Sequence, residues 1–221
     1  MKNQTNISNT TKMITGIAAF SALAFAVSLV TNIPVGFLTF DAKDAIITIA
    51  SFIYGPISAV AMSIITTLLE AISVGNTGPY GALMDLVSTL SFTLTASIIY
   101  KYKRNLSGAL ISLGAASGVY VAVMMVANLL ITPLYMGVNV EQVKALIPTM
   151  LLPFNIAKAL MNSALVMIVY KPISKLIRRI GLAAPSINKG GKASLRDTII
   201  ILSVAVTLLV SAIVIFVILR K

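Results

Sequence analysis

The chain has 221 residues, 58% of them hydrophobic and 10% charged, with a mean hydropathy of +0.98; a soluble chain carries about 25% charged residues, so this is the composition of a polytopic membrane protein. Cysteine and histidine are both absent, which excludes disulfides, a thiolate nucleophile, a Ser-His-Asp triad and Cys/His zinc or iron–sulfur sites. Six scattered carboxylates form no hydrolytic dyad, and the net charge of +11 is placed as a topology signal rather than as a nucleic-acid footprint.

A membrane helix needs roughly 20 mostly apolar residues. Charge-free stretches, divided by turn signals such as Asn32-Ile33-Pro34, Gly55-Pro56, Gly78-Pro79 and Thr132-Pro133, predict helices near 13–31, 44–54, 56–74, 81–100, 108–131, 150–171 and 197–219. Residues 1–12 read as a polar cytoplasmic tail. Its three Asn-x-Ser/Thr matches are best explained by an Asn/Thr-rich composition, and the apolar run that follows is too long for a cleavable signal peptide. On the first helix Ala18, Ala22 and Ala26 recur at a spacing of four. Small residues in register let another helix approach closely, either within the bundle or as a docking surface for another membrane subunit.

Loop 32–43 is apolar for an exposed segment. Phe37, Leu38 and Phe40 want cover, as a lid over a ligand or as an anchor among lipid headgroups. The second helix is short for a span, which leaves room for a start inside the bilayer with this loop packed over it. Glu70 and Asp85 flank the outer loop 75–80. Glu70 suits either a proton or cation site or an interfacial position facing water; Asp85 either caps its helix or faces a cavity.

An ionisable group within the hydrocarbon costs a few kcal/mol and is a functional hypothesis by default. Lys158, in Pro153-Phe154-Asn155-Ile156-Ala157-Lys158, is the clearest case. Asn155 and Lys158 are three apart and share a helix face, within roughly 12 Å of the outer surface, and Asn128 lies at comparable depth on the preceding helix. An ammonium donor and two amides suit a flat heterocycle with an imide edge, or equally a carboxylate. The competing reading has Lys158 snorkelling outward and the asparagines bridging helices. Residues 181–196 read as a basic flexible linker, with 197–221 adding a further membrane helix. Gly190-Gly191-Lys192 lacks the remaining elements of a phosphate-binding loop.

Twelve of the 17 basic residues fall before the first predicted helix, after the fourth and after the sixth. Basic loops face the cytoplasm, so the N-terminus is expected inside, and loop 32–43, Asn128, Asn155 and Lys158 on the outer side.

Phe40-Asp41-Ala42-Lys43-Asp44 and Phe52-Ile53-Tyr54-Gly55-Pro56 resemble the first loop and second-to-third helix joint of the substrate-binding S components of energy-coupling factor (ECF) transporters. Asn128 with Thr132-Pro133-Leu134-Tyr135, and the Phe-Asn-x-x-Lys element ending at Lys158, resemble the riboflavin-specific type. The likeness covers about 13–175. It implies an all-α membrane protein, a six-helix S-component bundle over 13–180, to which this chain adds the helix at 197–219. It further implies riboflavin bound by Asn128, Asn155 and Lys158 under a lid carrying Phe37, Leu38 and Phe40. Ala18, Ala22 and Ala26 would dock on a transmembrane T component, and ATP would bind two separate ABC ATPase subunits. The expected protein is a prokaryotic-type, multi-pass plasma-membrane vitamin importer subunit, not an enzyme, with no cofactor of its own. The alternatives are an S component for a carboxylate vitamin such as pantothenate, an autonomous ion-coupled transporter using Glu70 or Asp85, a membrane enzyme, which the missing His and Cys disfavour, and a structural subunit without a ligand.

Overall fold

The structure, a computed structural model, describes residues 2–73, 78–179 and 195–219. In chain order it contains α1 (Lys2–Thr31), β1 (Ile33–Val35), β2 (Leu38–Phe40), α2 (Lys43–Tyr54), α3 (Pro56–Ser73), α4 (Gly78–Tyr102), α5 (Leu106–Met136), α6 (Val140–Leu146), a π-helical turn (Ile147–Leu151), α7 (Leu152–Arg179) and α8 (Leu195–Leu219). Among the described residues, six helical segments are long and apolar enough to cross a membrane. The chain is an all-α membrane protein in which α1 to α5 and α7 form a six-helix bundle and α8 is added to it.

The organising element is the one that is too short to span. Helix α2 has 12 residues, about 18 Å of rise, and packs against α1, α3, α4 and α7. A helix buried around its circumference belongs in an interior, and ten of the 12 residues of α2 are buried, Lys43, Asp44, Thr48 and Ser51 among them. Here Ile47, Ile49 and Ala50 are fully enclosed, and Phe52 stacks on Tyr100 of α4 with ring centroids 4.0 Å apart. Its end is set by Gly55, whose φ of 98° lies outside the comfortable range of other residues and whose amide closes on Ser51 O at 2.7 Å. Pro56 then opens α3, where a missing N–H costs nothing.

Four boundaries differ from the sequence expectation. First, α1 begins at Lys2 rather than 13, because a formed apolar helix extends at one hydrogen bond per added residue. Second, loop 32–43 contains an antiparallel hairpin, Ile33 opposite Phe40 and Val35 opposite Leu38. Its two-residue turn places Gly36 at φ 61°, the requirement of a II′ turn. Third, α5 continues through Thr132-Pro133 to Met136, as membrane helices tolerate proline when the freed groups find partners; it ends where Gly137 N–H donates to Pro133 O at 3.0 Å. Fourth, α6 and the π turn occupy the connection before α7, which itself runs past 171 to Arg179. The expected linker at 181–196 lies outside the described residues except where 195–196 open α8, as do positions 75–77 of the outer loop.

Candidate functional site

The hairpin, the ends of α1, α3, α4 and α5, and the first turns of α7 enclose a cavity of about 370 Å³, within the range of small-molecule sites. Its walls combine apolar and aromatic surface (Phe37, Leu38, Met84, Met124, Tyr135, Phe154) with polar groups (Asp41, Thr67, Glu70, Asp85, Asn155, Lys158). Of the residues singled out from sequence, Asn155, Lys158, Phe37 and Leu38 line it. Phe40 stands behind the wall, buried against Val35 and Phe154. Asn128 is fully buried and outside the lining; its amide donates to Met124 O at 2.8 Å and accepts from Thr132 Oγ1 at 3.0 Å.

Lys158 does not snorkel. It is buried, and its ammonium donates to Asp41 Oδ2 at 2.8 Å, joining α7 to the segment between β2 and α2. Burial pushes the Asp41 carboxyl up, but the charges of Lys158 and Lys43 outweigh it and hold the group below its ordinary range. Asn155, one turn before Lys158, donates to Leu151 O at 2.7 Å. Its Oδ1 is buried with no hydrogen-bond partner among the described residues, an acceptor at the cavity wall.

The sequence reading did not assign a second ion cluster. Lys43, fully enclosed at the start of α2, donates to Asp85 Oδ1 at 2.6 Å and also to Glu70. Thr67 Oγ1 donates to the other Asp85 oxygen at 2.7 Å, and the Lys43 backbone N–H reaches Asp41 Oδ1 at 3.2 Å. Glu70 and Asp85 are therefore partners of one lysine, and both line the cavity, which for Asp85 is one of its two expected placements, the other being a helix cap; Glu70 is not a surface group. A charged Asp41-Ala42-Lys43-Asp44 run beside a helix too short to span was the available signal, because such charges need internal partners. Asn162, one turn after Lys158, ties the two clusters: it accepts from Ala45 N–H and donates to Lys158 O, each at 3.2 Å.

Electrically, three lining carboxylates face two ammonium groups, each already engaged. Such a wall has no spare cation for an anionic ligand. It does have many oxygen acceptors for a ligand's hydroxyl or N–H groups, and aromatic surface for a flat ring. The expected docking residues Ala18, Ala22 and Ala26 all lie exposed on α1, away from the core that Phe20 and Ala24 enter.

A family model described as "ECF transporter, substrate-specific component" matches residues 12–170. The chain is 29% identical to the riboflavin transporter RibU of Staphylococcus aureus (strain TCH60), over 81% of this chain and 98% of that protein. It is 24% identical to the riboflavin transporter FmnP of Bacillus subtilis (strain 168), over 72% and 90% of the two chains. A solved structure, described as "Structure and mechanism of the S component of a bacterial ECF transporter", superposes with a TM-score of 0.66 at 26% identity, covering 77% of this chain and 99% of that one.

Proposed function

The chain belongs to the substrate-specific components of ECF transporters, and from that premise we propose that it is the riboflavin-capturing subunit of an importer in the cell membrane, with its N-terminus in the cytoplasm. The two similar proteins named as riboflavin transporters support this reading. The observation that carries it is the cavity itself, in which Asn155 offers a buried, unengaged acceptor while Lys158 is neutralised by Asp41. Riboflavin is a neutral, flat tricycle with an imide edge and a polyol tail. The imide N–H donates to Asn155 Oδ1, the Lys158 ammonium polarises the neighbouring carbonyl, and Phe37 and Leu38 close on the ring. The polyol hydroxyls donate to the carboxylate oxygens beyond. Asn128 joins the ligand only if its amide leaves Met124 O. A carboxylate vitamin fits less well, because it would add negative charge to a wall whose two ammonium groups are already bonded.

The protein does no bond-making chemistry in this reading. A T component docks on the exposed Ala18, Ala22 and Ala26 face, two ATPase subunits supply energy, and reorientation of the bundle delivers the vitamin inward.

The test is a titration of flavin fluorescence with the purified, detergent-solubilised protein. Saturable quenching at one flavin per chain, lost in Asn155→Ala, is expected. A folded sample that leaves flavin fluorescence unchanged overturns the assignment.

A further inference from the structure

Helix α8 begins at Leu195, beyond residue 170 where the family match ends, yet it is not a loose tether. It packs along α7, with Ala205 and Ala212 fully enclosed on one stripe seven residues apart and Val204, Leu208 and Leu209 set against the main core. Small residues at such an interface let two helix backbones approach closely. Toward its C-terminal end α8 reaches a second apolar cluster. Phe216 and Leu219 pack on Val35, Phe40 and Phe154, and the Phe216 ring meets Phe40 edge-on with centroids 6.3 Å apart. These are the residues behind the cavity wall: Phe40 is followed by Asp41, the partner of Lys158, and Phe154 itself lines the cavity.

We propose that α8 is a built-in brace for the hairpin lid, with Phe216 and Leu219 as positioning residues that act through Phe40 and Phe154 to slow ligand release. Three points favour this over a purely lipid-facing role. Phe40 is buried although it belongs to a hairpin at the cavity mouth. Its cover comes in part from α8, and a hairpin of two three-residue strands has marginal stability of its own. An aromatic pair at this geometry adds specific attraction beyond area burial. Opening the hairpin separates Phe40 from Phe216, so the brace resists opening and slows the release that requires it.

The chain contains no cysteine, so a nitroxide attached to Ile33→Cys, an exposed position on β1 outside the cavity lining, reports hairpin motion without interference from native thiols and without ligand. In the full chain in detergent, Phe216→Ala with Leu219→Ala is expected to increase label mobility clearly. In stopped-flow release of bound riboflavin, koff is expected to rise at least fivefold. Val217→Ala, at an exposed position of α8, should change neither. If the double variant does not fold, Phe216→Leu keeps the bulk, loses the ring contact, and should release flavin two- to threefold faster. Unchanged label mobility and unchanged koff in a folded variant overturn the brace. The release arm rests on the riboflavin reading, whereas the label arm does not. Native protein that fails to bind flavin sinks that reading and leaves the label to decide this one.

Discussion

Lys158 stands where the packing of the fold meets the wall of the cavity. Its ammonium, within the apolar bundle, is tolerable only because Asp41 lies 2.8 Å away and both are almost wholly enclosed. Removing one member of such a pair leaves the other charge buried without compensation, at about 3–5 kcal/mol, whereas removing both for apolar groups of similar size is often neutral. Lys158→Met should therefore lower stability by about 3–5 kcal/mol, seen in thermal unfolding of the detergent-solubilised protein. Asp41→Leu combined with Lys158→Met should recover most of that loss. Flavin binding should stay impaired in the double variant, since the ammonium is still missing. Full recovery of binding together with stability would mean that Lys158 serves the fold alone. The second pairing, Lys43 with Asp85 and Glu70, follows the same rule. Glu70→Gln should cost less than Lys43→Met in that unfolding assay, because Asp85 still meets the lysine.

At the level of elements, legibility followed the physical signal available. Seven apolar runs gave the seven long or buried helices, because hydrocarbon thickness fixes a length that composition reveals. The brevity of α2 was visible from Gly55-Pro56, and the structure explains it: α2 crosses no bilayer but fills the middle of the bundle. The hairpin is not legible from Asn32-Ile33-Pro34, which reads as a turn signal opening a loop, although a two-residue Gly36-Phe37 turn between Val35 and Leu38 is a usable signal. Helix α6 and its π turn, only Val140–Leu146 and Ile147–Leu151, were too short to leave a periodic signature. The ion pairs were out of reach for another reason: Asp41 and Lys158 are 117 residues apart, and sequence spacing carries no information at that range. The turn itself is testable. At φ 61° any other L-residue costs about 1–2 kcal/mol, and a Cβ on Gly36 would run into the Met150 methyl group. Gly36→Ala should raise the flavin dissociation constant roughly five- to thirtyfold, each 1.4 kcal/mol being tenfold, read by the same fluorescence titration. An unchanged constant would mean that the hairpin does not close on the ligand.

Across the whole molecule, what faces outward separates lipid from partner. Large apolar side chains such as Ile57 and Ile72, 84% and 85% exposed, would be an aggregation hazard in water and are ordinary in a bilayer. Along α1 the exposed surface is different in kind: Ala18, Ala22 and Ala26 present a smooth stripe, on the helix that packs against α2 and α3. Helix α8 covers α7 instead, so the added helix leaves the α1 stripe open and does not compete for it. A partner helix docking there depends on close backbone approach, which a bulky side chain prevents. Ala22→Trp should then leave flavin binding by the isolated protein within twofold of the native value while abolishing ATP-dependent riboflavin uptake in cells carrying the partner subunits. Co-purification of those subunits should be lost in parallel. Normal uptake by Ala22→Trp would place the docking surface elsewhere, with the remaining exposed faces of α3 and α4 as the next to probe.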